Sequence, residues 1–317
     1  MNRFNKFIML TIFTTAKPFT GHTAVIQRNA LKSWKLLHPE VEVIVFGDDE
    51  GSAAVCKELG LRHEPHVGRT AGGAIRLDNM FAKAQVLARH DVLCYVNCDI
   101  ILLQDFLNAL EPVRERWAQF LMIGRRWDTD IRESIDFRSP GWQDETRQKA
   151  LSSGRRHDVL TIDYFAFRRG LYGPQTPPLA IGRFWWDHWL VRRALDLRVP
   201  VVDVSRGVVA IHQNHNFAHH PQGWKGLWDS EDARRNLELA GGPGRLATIE
   251  KATHRLTRKG RIVRRLIRLR TYNRRMTVWL KTKRMLAYNI ALPSWHFLLD
   301  VTRPVRSVLG LRSKRRP

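Results

Sequence analysis

Apolar and polar positions repeat with two periods along the first 240 residues. Residues 7–14 form a continuous apolar run and predict a buried strand. Val25, Leu31, Trp34 and Leu37 then recur at helical spacing, with Thr23 placed as a cap, and residues 41–46 are apolar again. Strand, helix, strand with short connections is the βαβ unit of a parallel sheet. Residues 56–61 close a further helix, and Met80, Phe81, Ala84 and Leu87 mark the core face of another, for which Asp78 is the candidate cap. Residues 92–96 are almost wholly apolar between polar flanks, the pattern of a strand buried on both faces. A second apolar run, 100–103, follows after only three residues.

Further on, residues 106–117 read as a helix and 120–124 as a strand. Residues 125–154 are polar, with scattered Trp127, Phe137 and Trp142 and no clean period, which predicts a long functional loop or lid. Residues 158–167 alternate as a strand does and place Asp163 inside it. Trp186, Leu190, Val191, Ala194 and Leu195 form a helical stripe, with Asp187 in its first turn. Two short strands, 199–204 and 207–211, lead into His212, His215, His219 and His220. Gly241-Gly242-Pro243-Gly244 is the strongest break, so the division expected is a domain over 1–240 and a tail over 241–317. In the tail Ile262, Leu266, Leu269, Met276, Leu280 and Leu286 mark helical turns among many Lys and Arg.

Charge changes the picture of that tail. The net charge is +23, and the last 77 residues hold 21 of the 53 Lys and Arg against two acids, Glu250 and Asp300. Basic helices with apolar faces suit an anionic membrane surface, so residues 245–317 are expected to dock there. Nucleic acid is the rival partner for such charge, but no recognisable nucleic-acid motif accompanies it. No apolar stretch reaches 18 residues, and residues 1–19 read as a first strand rather than a signal peptide. Three cysteines without a Cys-x-x-Cys pair point to a reducing compartment. The expectation is a cytoplasmic protein, peripheral on the inner face of the membrane.

The candidate chemistry sits between the two apolar runs, at Asn97-Cys98-Asp99. A carboxylate there is costly unless a cation or donor meets it. Ligands of open α/β sheets bind outside the carboxyl ends of the strands, and hard divalent ions take oxygen ligands. At this point the chain resembles the GT-A class of glycosyltransferases, whose mark is an Asp-x-Asp motif in this place; here the amide Asn97 stands where the first acid would be. The resemblance implies a Rossmann-like α/β fold with a mostly parallel central sheet flanked by helices, to which the basic helical tail is added. It implies Asp99 and His212 as ligands of Mn²⁺ or Mg²⁺, and Asn97 near the ribose or metal-bound water. Thr14 and the pair Asp48 and Asp49, which could equally be turn formers, fall where such enzymes hold the nucleotide; Arg76 and Lys83 fall near the diphosphate. Asp163, Trp185, Trp186 and His215 fall on the acceptor side, and Phe217 and Trp224 could also stack on a sugar.

The implied reaction moves a sugar from a nucleotide-diphosphate donor to a hydroxyl of a glycan or lipid-linked acceptor, as in polysaccharide biosynthesis. Asp187 would be the general base of an inverting reaction, the helix N-terminus favouring its ionised form; retention stays open at this stage. Each position also has an ordinary reading: Asp187 as a helix-end acid, the tryptophans as core, Asp163 paired with an arginine. A sugar nucleotidylyltransferase would need a glycine-rich phosphate loop after the first strand, which Thr14-Thr15-Ala16-Lys17-Pro18 does not supply. The alternative from another class is a nucleic-acid-binding or membrane-scaffolding protein acting through the tail.

Overall fold

The computed structural model describes residues 10–215 and 230–265. Residues 7–9, Phe217, His219, His220, Trp224 and the tail beyond 265 lie outside them. Nine strands form the main sheet in the order β13-β12-β10-β6-β9-β4-β1-β2-β3. In chain order the central ones are β1 (Leu10–Thr15), β2 (Glu42–Phe46), β3 (Arg62–Glu64), β4 (Val92–Val96), β6 (Leu121–Ile123), β9 (Tyr164–Arg168) and β10 (Val201–Asp203). β12 (His254–Leu256) and β13 (Ile262–Arg264) complete the edge. Only β9 and β13 run against the rest, so the sheet is mostly parallel, as expected.

Helices cover both faces, and the strands show why. Val43, Val45, Val92, Cys94 and Val96 point to one apolar cluster, with Leu31 and Trp34 of α1 (Gly21–Lys35) and Phe106 and Leu110 of α4 (Gln104–Arg116). The alternate residues Ile44, Phe46, Leu93 and Tyr95 enter a second cluster, with Met80 and Phe81 of α3 (Leu77–Leu87) and Leu190 of α6 (Trp186–Asp196). A strand filling two cores has no polar face, which explains the unbroken apolar runs. Two further helices are α2 (Ser52–Leu59) and α7 (Glu231–Leu239).

A second, four-stranded sheet has the order β5-β11-β7-β8, with β5 (Ile100–Ile101), β7 (Arg126–Thr129), β8 (Arg155–Arg156) and β11 (Ala210–Gln213). It corrects the expectation of a lid: residues 125–154 hold β7 and the helix α5 (Trp142–Ser153). That helix buries only Trp142, Thr146 and Ala150, too narrow a stripe to register as a period. Asp163 lies just before β9 rather than inside a strand.

The expected boundary at 241 is also corrected. Pro243–Arg245 and Ile249–Lys251 are single 3-10 turns, and β12 pairs in parallel with β10, so residues up to 265 belong to the main sheet. Strands of three residues cannot be told from helical turns by period, and their Arg and Lys had marked them as tail. This carries a test. Ending the chain after residue 265 should leave a cooperative thermal transition. Ending it after 240 removes the buried Ile249 and Leu256, about 3–6 kcal/mol, and should lower Tm by roughly 10 °C or abolish the transition. Equal Tm for the two forms, measured by circular dichroism, would refute the placement.

Candidate active site

Pairing in the small sheet builds the site. β4 ends at Val96, and the turn Asn97-Cys98-Asp99 reverses into β5, with the Ile100 N–H donating to the Asn97 carbonyl. β11 pairs antiparallel with β5, setting His212 against Ile100, and parallel with β7, setting His212 against Asp128. The fully buried Gln213 fixes this register: its backbone N–H and side-chain amide both donate to the Asp99 carbonyl, and its amide oxygen accepts from Asn29 in α1.

Three donor atoms converge as a result. His215 Nε2 lies 3.2 Å and His212 Nε2 3.6 Å from Asp99 Oδ2, and ligand atoms of all three residues fall within 4.8 Å of one another. The other oxygen, Asp99 Oδ1, is buried and has no hydrogen-bond partner among the described residues. An orphaned buried carboxylate oxygen beside two imidazoles fits a divalent cation. Behind His212, its Nδ1 stands 3.3 Å from Asp128 Oδ1, the kind of carboxylate that orients a ligating imidazole. Asp128 is itself held by His157 at 2.6 Å and Arg126 at 2.8 Å.

Arg126 continues the network to Asp163, 2.8 Å away. Asp163 Oδ1 also accepts from the Asn97 amide at 2.8 Å, while Asn97 Oδ1 accepts from the Tyr95 hydroxyl at 2.9 Å. Burial alone would raise the Asp99 carboxyl, but His212, His215 and Arg126 outweigh it and hold the group well below the usual carboxylate range. Asp128 is likewise lowered, since the His157 and His212 contacts and the Arg126 charge exceed the effect of burial.

Asp187 opens α6 nearby. Trp185, its N-cap, has φ 86°, an uncommon strained conformation for a side chain of this size. The turn directs Trp186 inward, edge-on to Tyr95 with ring centroids 5.2 Å apart, and so holds Asp187 within electrostatic reach of Asp163. Burial pushes the Asp187 carboxyl above the ordinary range; His188 opposes this and Asp163 adds to it. Backbone hydrogen bonds at the helix end do favour the ionised form, as expected, but desolvation outweighs them.

The remaining sequence candidates divide. Arg69 clamps Asp48 at 2.7 Å and Asp49 at 3.1 Å at the end of β2. Arg76 pairs with Asp78 and, with Arg69, Arg183 and Arg235, lines a pocket of about 510 Å³ that the Thr70–Gly72 loop and Asp232 also border. Thr14 is fully buried with its hydroxyl on the Thr15 carbonyl, and Lys83 is tied to Glu64 and the His66 carbonyl. Trp186 is core rather than a sugar-stacking face, which corrects that expectation. His215, expected on the acceptor side, joins the cation cluster. Sequence reasoning missed Asp128, His157 and Arg126, which carried no motif, and Lys17. That lysine directly follows β1 and lies within electrostatic reach of Asp99 and Arg183; its place after the first strand was the available signal.

The sequence matches no protein-family model and no curated protein. Among solved structures, the chain is similar to glucosyl-3-phosphoglycerate synthase from Mycobacterium tuberculosis in complex with Mn²⁺, UDP and glucosyl-3-phosphoglycerate. The identity is 14%, the TM-score 0.44, and the likeness covers 74% of this chain and 81% of that one. For the same enzyme with Mg²⁺ and UDP the identity is 15% and the TM-score 0.45, over 74% of this chain and 80% of the other.

Proposed function

We propose that the protein is a metal-assisted glycosyltransferase that takes a sugar from a nucleotide-diphosphate donor to a hydroxyl acceptor. The observation that carries this reading is the Asp99–His212–His215 cluster, with a buried unpaired Asp99 oxygen, at the carboxyl end of a central parallel strand. A Mn²⁺ or Mg²⁺ ion held there would neutralise the charge that develops on the departing diphosphate. Lys17 and Arg183 add positive charge on the same side, and the arginine-lined pocket extends from Arg183 toward Arg69, where Asp48 and Asp49 offer acceptors to a ribose or base.

Asp187 is the proposed base of an inverting displacement. The acceptor oxygen bonds to the anomeric carbon, the bond to the diphosphate breaks with its electron pair leaving on the phosphate oxygen, and the acceptor proton passes to Asp187. A carboxylate raised by burial is a better base than an exposed one. The Arg126–Asp163–Asn97 network holds the floor between Asp99 and Asp187. The tail beyond the sheet, residues 266–317, has 13 Lys and Arg against one acid, Asp300, and is proposed to bring the enzyme to an anionic membrane carrying a lipid-linked or envelope glycan acceptor. No helix among the described residues is long and apolar enough to cross a membrane.

A panel of nucleoside diphosphates with Mn²⁺ should raise Tm for one base, by several degrees at about a hundredfold excess over Kd, and Asp99→Ala should lose the shift. No shift with any nucleotide would sink the donor site. Asp187→Asn should lower transfer by about 10²–10⁴-fold. Its pKa is raised in the fold, so ionised Asp187 opposes folding above that pKa and the amide should keep or raise Tm at neutral pH. For the same reason wild-type transfer should fall on acidification at a pH above the ordinary carboxylate range. An active Asp187→Asn enzyme would remove Asp187 as the base. The chain ending at 265 should no longer sediment with phosphatidylserine vesicles yet still hydrolyse donor; undiminished sedimentation would contradict the role of the tail.

A further inference from the structure

We propose that His215 is a third protein ligand and that the site therefore selects first-row transition divalent ions over Mg²⁺ and Ca²⁺. The inference rests on reading the cluster as the cation site of the donor cleft. Two ligand atoms each about 2.1 Å from one ion stand roughly 3–4 Å apart. The separations of His215 and His212 from Asp99 Oδ2, 3.2 and 3.6 Å, have this spacing.

Asn97 brings no charge to the first position of the motif, and its amide is engaged at both ends, Oδ1 accepting from Tyr95 and Nδ2 donating to Asp163. The protein donors are then two imidazole nitrogens and one carboxylate. Mg²⁺ demands near-octahedral oxygen coordination, and Ca²⁺ takes six to eight oxygens. Imidazole favours the transition series, in which affinity rises from Mn²⁺ toward Co²⁺ and Ni²⁺. Asp128 Oδ1, 3.3 Å from the His212 Nδ1, places negative charge behind that imidazole and so favours it as a nitrogen donor to a cation.

The test uses the untagged full-length chain and metal ions alone. Co²⁺ is titrated by calorimetry and by its visible ligand-field bands, followed by Mg²⁺ competition. One Co²⁺ should bind per chain, and about a hundredfold excess of Mg²⁺ should not displace it. His215→Asp, which exchanges nitrogen for oxygen, should lower the Co²⁺ to Mg²⁺ affinity ratio by about tenfold or more with Tm retained. His215→Gln should weaken Co²⁺ while leaving Mg²⁺ little changed, which guards against a folding defect in the first variant. Equal affinity for Mg²⁺ and Co²⁺, both lost in Asp99→Asn, would overturn the selectivity and leave the cation site standing. An unchanged ratio in His215→Asp would overturn the role of His215. Co²⁺ binding that survives Asp99→Asn would overturn both the inference and the reading beneath it.

Discussion

The register of β11 between β5 and β7 is the constraint on which the site depends. Because side chains alternate with a period of two, a slip by one residue would turn His212 away from both Asp99 and Asp128. Two buried groups oppose that slip. Gln213 is hydrogen-bonded to Asp99, Ile26 and Asn29, and the Trp34 indole donates to the Ile100 carbonyl. An unmade bond at either would leave a buried polar atom at a cost of about 1–3 kcal/mol. The helix α1 therefore sets the chemistry although none of its residues belongs to the cluster.

Charge balance follows from that geometry. Asp99, Asp128 and Asp163 gather in a half-buried region, an arrangement that would repel itself without counter-charge. Arg126 answers two of them directly, and His157 and His212 meet Asp128 from two sides. Asp99 and Asp163 each keep one oxygen without a hydrogen-bond partner among the described residues, and only that of Asp99 lies beside two imidazoles. Asp187 stands apart, raised by burial while Asp99 and Asp128 are lowered by their partners. Neighbouring carboxylates pushed in opposite directions are suited to different tasks, one as ligand and one as proton acceptor.

Much of the fold was legible because central strands bury both faces and leave continuous apolar runs, as residues 92–96 do. The small sheet was not legible. Its strands have two to four residues, and their pairing is a long-range event without a local period. The same holds for the site. Asp99 and His212 announce themselves by following apolar runs, whereas Asp128 looks like any acid in a polar stretch until β11 is laid beside it. The sequence calls for an arginine beside Asp163 but does not say that it is Arg126. Trp186 looks like a sugar-stacking residue because it occupies the right segment, but segment position does not fix which way a side chain points.

The antiparallel strand β9 has a consequence for how the chain is made. It lies between β4 and β6 in the sheet, yet both of those strands leave the ribosome before it. β1, β2 and β4 can pair as soon as residue 96 has emerged. β6 must wait, with Leu121, Met122 and Ile123 unpaired, until residues 164–168 slot between the halves. Such late, non-local closure is slow and leaves strand edges open. Vectorial synthesis should therefore yield a half-built sheet whose exposed apolar edge needs shielding until its central strand arrives.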